Sequence, residues 1–460
     1  MIFLLDLVLL LNLFIAVKYF RFLFAPPVLL GTGMLLAALI ATSYYELWEM
    51  KRLLFESVLI LGGGPLIFTL FCILFNKSYT FEKTHVDVKL DDVIKLEIFY
   101  VVSILIGIAG TILKVKAYVS FWGVGSLPEL VMAFREDTHS GDLTFKLPFY
   151  ISVITRYTNT LVYFSSFIIS LLVVYKNKNT VLKLMLILQI IVALFDGLLS
   201  GAKGAMIEVL VRFAVIYVIV LYWYYKSNKL PRNTYSKIFV IGAFFFLSFK
   251  GLGMLVGRNL EDRTNFDVLA EYCGAEIKNF DLYMHGIDGN SKSKFVGEDC
   301  FWTIYQDFNP QYVRYPRAYQ NINGCHLGNV YTQYYSLHKD FGWAGIIIGT
   351  FLMSLICMMI YNNVLRIMKS SDICKNVIFI YSFVAMHIFM AFFSFRFSEG
   401  VITTNFLKVV ILIYALQWVL RRFSILKIKF ILPKELKLFF KYYIHECKTF
   451  SLLSQKGYTA

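Results

Sequence analysis

Long apolar runs alternate with short basic loops along most of this chain, and one long polar stretch interrupts them late. A transmembrane helix needs about 20 apolar residues. That length selects about eleven spans: 2–17, 22–45, 54–75, 96–114, 149–175, 182–199, 204–225, 238–257, 341–363, 376–396 and 402–420. Strict alternation of apolar and polar residues, the mark of a half-buried strand, is missing from these runs. The pattern therefore predicts an all-α polytopic membrane protein. Its units are a bundle of about eight helices over 1–257, a large loop over 258–340, three further helices over 341–420 and a basic tail over 421–460. No internal repeat is visible.

Composition supports this reading. Of the 460 residues, 58% are hydrophobic and only 16% charged, well under the quarter that a soluble domain carries. The apolar start at Met1 reads as a retained span, not as a cleaved signal. The net charge of +15 fits basic loops and lipid headgroups, not nucleic acid. Alternate loops carry Lys18 and Arg21, then Lys77, Lys83 and Lys89, then Lys176, Lys178 and Lys183, and so on to the tail. The positive-inside rule places that set in the cytoplasm and the 258–340 loop outside. The tail then rests on anionic headgroups of the inner leaflet. Seven cysteines lack CxxC spacing. Cys273, Cys300 and Cys325 in the large loop leave two readings open, one disulfide or three inert thiols.

Charges inside spans are expensive and mark function by default. Arg156, Lys203, Lys250, Arg258 and Arg396 all fall at or near the outer ends of spans. Together they suit an outer-leaflet polyanion such as a lipid pyrophosphate, which Arg grips bidentately and Lys meets as a point charge. As purely structural groups, Arg258 and Arg396 would snorkel to the interface, Lys203 would cap its hairpin, and Lys250 would pair with a carboxylate on another span. Glu208 and Arg212 are spaced for an ion pair on one helix. Asp196 is a candidate partner for Lys203. In the loop, Arg314, Tyr315, Arg317 and Tyr319 form a basic, aromatic run able to stack on sugars. His326 follows in a Gly-flanked turn and is the first candidate for a general base, with His338 a weaker one. Asp340 sits where it would cap the ninth span, and Gly342, Gly345 and Gly349 read as helix-packing positions. No metal-ligand spacing and no Walker A motif appears, so neither metal nor nucleotide cofactor is expected.

The stretch Asn329-Val330-Tyr331-Thr332, Asp340-Phe341-Gly342-Trp343-Ala344-Gly345, together with the hairpin Ser200-Gly201-Ala202-Lys203-Gly204-Ala205, resembles oligosaccharide repeat-unit polymerases of the Wzy type. In that family arginine is usual where Lys203 stands. The resemblance implies a GT-C-like, metal-independent glycosyltransferase of the bacterial inner membrane with its large loop extracytoplasmic. It implies an undecaprenyl-pyrophosphate-linked glycan donor and a like acceptor, in O-antigen (lipopolysaccharide) or capsule synthesis, and a chain-length regulator protein as a further partner. His326, Glu399 and Asp340 become the candidates for handling the acceptor proton. Arg156, Lys203, Lys250, Arg258, Arg314, Arg317 and Arg396 become candidates for the pyrophosphate. A flippase of lipid-linked oligosaccharide and an O-antigen ligase are the competing readings; a flippase would call for repeats and would not need the long loop.

Overall fold

A computed structural model describes residues 1–77, 87–91, 93–140, 145, 147–199, 203–225, 234, 236, 250–251, 253–254, 263–287, 293–309, 311–312, 314, 317–369 and 376–431. Nearly all of it is helix. Among the described residues eight full helices precede the polar segment: α1 Ile2–Phe20, α2 Pro26–Ser43, α3 Phe55–Phe75, α4 Val93–Trp122, α5 Leu127–Ser140, α6 Phe149–Val174, α7 Thr180–Leu198 and α8 Lys203–Tyr225. The polar segment holds α9 Asn265–Cys273, α10 Ala275–Met284 and α11 Glu298–Phe308, then a small hairpin of β2 Gln320–Ile322 and β3 Cys325–Gly328. After it come α12 Gln333–Lys369, α13 Asn376–Phe389, the short α14 Arg396–Val401 and α15 Thr404–Arg422.

Among the described residues nine helices are long and apolar enough to span a membrane, with the shorter apolar Asn376–Phe392 beside them. They match ten of the expected spans. The remaining one, 238–257, lies outside the described residues apart from isolated positions. The short fifth helix, α5, falls in the stretch between the fourth and fifth expected spans. Leu5, Leu9 and Ala16 of α1 are buried, while Phe3, Leu7, Leu10, Leu11 and Phe14 are exposed. That is the one-sided burial of a helix at the rim of a bundle facing lipid.

Contacts sort the connections onto two faces. Asp281 of α10 accepts hydrogen bonds from the Leu54 amide and the Ser57 hydroxyl, both 2.9 Å, at the start of α3. Asn323 of the hairpin reaches the Leu47 carbonyl, and Tyr44 donates to Asp267 of α9. The polar segment therefore sits on the same face as the α2–α3 connection, as the charge pattern requires. On the opposite face β1 (Asp87–Asp91) pairs antiparallel with β4 (Lys427–Ile431), joining the α3–α4 loop to the start of the basic tail.

One expectation is corrected along α12 and another refined. Asp340 does not cap the ninth span: its carboxylate accepts from the Asp299 and Cys300 amides of α11 instead. Of the three glycines, Gly345 and Gly349 do allow close packing, against the helical turns ahead of the break, while Gly342 makes the break itself. Gly342 adopts φ 59°, ψ −148°, a conformation open to glycine alone, and it breaks α12 sharply. A Cβ at Gly345 would lie 2.2 Å from the Leu337 carbonyl oxygen, and one at Gly349 would lie 2.5 Å from the Leu337 side chain. The first two turns of α12 thus fold back onto the span that follows, and these glycines make room.

Candidate functional site

The Asp340-Phe341-Gly342 break aims Asp340 sideways at α11. That helix opens on Gly297, which is in the left-handed region and brings no side chain to cap with. Asp340 supplies the cap from another helix: its carboxylate accepts from the Asp299 amide at 3.3 Å and the Cys300 amide at 2.7 Å. These are the donors that an N-cap aspartate within the same chain segment would satisfy. The consequence is positional. The first turn of α11 is buried, and the side chain of Asp299 has no exposure.

Cations converge on that carboxylate. Arg317 approaches Asp299 through Nη2 at 3.0 Å and Nε at 3.3 Å, and donates to the Ser336 hydroxyl at 3.0 Å. Arg314 reaches Asp299 at 3.4 Å, and Lys339 reaches it at 3.4 Å. Arg314 also lies 3.8 Å from Glu399, and Arg396 lies 3.6 Å from it. Glu399 further accepts from the Trp302 indole at 3.3 Å and the Ser394 hydroxyl at 2.8 Å. Aromatic faces hold the cations: Arg314 lies over Trp302 at 4.6 Å, Arg317 over Tyr335 at 5.0 Å, and Arg396 over Phe393 at 5.0 Å. Among the described residues four cations thus meet the carboxylates of Asp299 and Glu399 at one end of the bundle, under the polar segment.

The electrostatics follow from this packing. Burial would raise the Glu399 carboxyl, but Arg396, Arg314 and Arg317 outweigh it and bring the pKa to about 2. Burial works against the charge on Arg317, and Asp299 and Glu399 reverse that and raise its pKa. Burial and the neighbouring Asp340 and Asp299 push the Cys300 thiol far up, so it is no nucleophile. None of Cys273, Cys300 and Cys325 is in a disulfide.

Of the residues singled out in the sequence, Arg314, Arg317, Arg396 and Glu399 come together here, and Asp340 holds the helix that carries the centre. His326 is exposed on the hairpin, with Nδ1 2.5 Å from the Asn321 side-chain oxygen. No contact joins it to the cluster among the described residues. His338 pairs with the Tyr283 hydroxyl at 2.9 Å. Arg156 is half-buried on α6 and forms no ion pair among the described residues. Lys203 begins α8, with its side chain outside the described residues, and Lys250 is half-buried. Arg258 lies outside the described residues. Asp196 accepts from Lys114 at 3.1 Å, backed by Thr155 and Asn159 at 3.4 Å each; its expected pairing with Lys203 falls on a side chain outside the described residues. Glu208 and Arg212 form the expected pair at 2.5 Å.

Asp299, Lys339, Lys114 and His387 were missed. His387 is buried on α13, its Nδ1 2.8 Å from the Phe383 carbonyl, and its other edge fits against Gly400, where a Cβ would lie 1.8 Å from Nε2. It lies within electrostatic reach of Glu208, Arg212 and Arg396. A sequence signal existed for Asp299: Gly297-Glu298-Asp299 before an amphipathic run is a helix start.

Comparison with family models, with curated proteins and with solved structures gives no match for this chain. What the fold defines is a class: a multi-pass, all-α membrane protein with a cation-rich cluster at one end of its spans.

Proposed function

We propose that this chain is a glycosyltransferase of the polymerase kind. In this reading it joins undecaprenyl-pyrophosphate-linked repeat units into O-antigen or capsular polysaccharide at the outer face of the bacterial inner membrane. One observation carries it: Arg314, Arg317, Lys339 and Arg396 gather around Asp299 and Glu399 where the spans meet the polar segment. When a glycan leaves its lipid carrier, negative charge grows on the departing pyrophosphate. Fixed cations already in place stabilise that charge without reorganising, the work a metal does elsewhere. Asp299 and Glu399 keep the cations charged and aimed while no substrate is bound. Trp302, only half-buried, adds a flat face beside Arg314, suited to a sugar ring. Glu399, held ionised, is the acceptor placed to orient the incoming hydroxyl; its low pKa makes it a weak base. The Wzy-like motif supports the same reading, because its Asp and its first Gly are the residues that cap and position α11.

A glycan gel from cells carrying the chain with Arg396→Ala is the test. Single-repeat material with the long ladder lost supports the proposal. A wild-type ladder removes Arg396 from the reaction, and a complete loss of decorated core points to a ligase or flippase.

A further inference from the structure

Helix α11 is tied at both ends to spans. At its N-terminus, Asp340 holds the Asp299 and Cys300 amides, two residues before the Gly342 break where the apolar part of α12 begins. Near its C-terminus, Asp307 accepts from the Thr404 amide at 3.0 Å, the first residue of α15. Both ties fall at the level where a span starts. The 11 residues of α11 are kinked at Phe301, so its ends lie at most about 16 Å apart. Held at that one level at each end, α11 runs along the membrane plane, from α12 to α15. Within the described residues α12 and α15 make no extended contact with each other; both pack on α13, and α11 joins the ends that face the polar segment.

Burial changes along α11. Glu298, Asp299 and Cys300 are buried, while Tyr305 and Phe308 are 37% and 80% exposed. Three residues apart, they share a face. Flanking apolar residues at the same level are also bare: Phe341 and Trp343 at the start of the α12 span, and Leu407 in the first turn of α15. Aromatic residues at this depth are those that settle in a bilayer interface. Glu399 and Arg314 lie directly behind the helix, against Trp302.

We propose that α11 is a membrane-interface helix. Its Tyr305 and Phe308 face rests in the headgroup layer of the leaflet next to the polar segment, between the starts of the α12 and α15 spans. The partner is the lipid surface itself. The inference needs only the polytopic fold. It would survive failure of the glycosyl-transfer reading, and the test contains no glycan.

The test uses the full-length chain in phosphatidylcholine–phosphatidylglycerol vesicles. Phe308→Cys and Gln306→Cys are each labelled with a polarity-sensitive fluorophore, with the unsubstituted chain labelled in parallel as the blank. Positions 306 and 308 project about 200° apart on a helix, so they report opposite faces. The expected result is quenching at 308 by nitroxide near the lipid headgroup at least about threefold stronger than at 306, with the reverse order for aqueous iodide. Equal quenching at the two positions, or stronger iodide quenching at 308, would overturn the proposal.

Discussion

Two buried charge sites in this protein differ in their stoichiometry. Inside the spans, Lys114 and Asp196 pair one to one, and Thr155 and Asn159 complete the carboxylate's hydrogen bonds. At the edge of the bundle, Asp299 and Glu399 meet Arg314, Arg317, Lys339 and Arg396. A one-to-one pair that is fully bonded holds helices in place. Crowding several cations on few carboxylates stores positive potential and prepares a site for an anion. The depth of a charge in the apolar sequence therefore says less about function than the ratio of signs around it.

Removing the hub should have the largest effect. Asp299→Ala leaves three cations close together without their shared carboxylate, and loses about 3–5 kcal/mol, the scale for breaking a buried pair. Thermal unfolding in detergent should show it; an unchanged midpoint would mean that the cluster adds nothing to the fold. The span pair sharpens the contrast. Lys114→Met alone should destabilise by about 3 kcal/mol, and the double variant with Asp196→Asn should recover most of that loss. If both sites behave alike, with glycan synthesis lost in the recovered double variant, the distinction fails. Asp340→Ala removes a cap supplied in trans and should cost about 1–2 kcal/mol. Its effect should also appear as faster amide exchange at Asp299 and Cys300, and unaltered exchange there would remove the capping role. The pH effect is smallest. The Glu399 pKa is depressed to about 2, so its stabilising effect is complete above the ordinary carboxylate range near 4.5 and is lost as pH falls toward 2. Acid titration of the Glu399→Gln variant should lack that loss; an identical acid profile in both proteins would contradict it.

Much of the fold could be read from the sequence, because apolar length alone identifies a span. That the polar segment shares a face with the α2–α3 connection agrees with the alternation of Lys- and Arg-rich loops. The finer role of the Asp340-Phe341-Gly342 run was not legible. A capping aspartate is normally sought at the start of its own helix, and this one serves a helix 40 residues earlier in the chain. Arg314, Arg317 and Arg396 stood out as charges in apolar or aromatic surroundings. Asp299 did not: the Gly-Glu-Asp start marks a helix in a polar segment, not a buried carboxylate, and its first turn is held by the cap from Asp340. Lys114 was hidden at the expected end of a span that in fact continues to Trp122. His326 drew notice as a histidine among glycines, while the buried His387 lay within an apolar run that gave no reason to single it out.

The central claim is that the cluster grips a lipid-borne diphosphate. Arg396 tests it most cleanly, because its side chain is 37% exposed and its loss should leave the buried core intact. The measurement is the affinity of the purified chain in nanodiscs for a polyprenyl pyrophosphate, compared between wild type and Arg396→Ala. Loss of one charge-assisted phosphate contact predicts weakening by about tenfold or more, with the melting midpoint unchanged. Equal affinity in the two proteins would contradict the account.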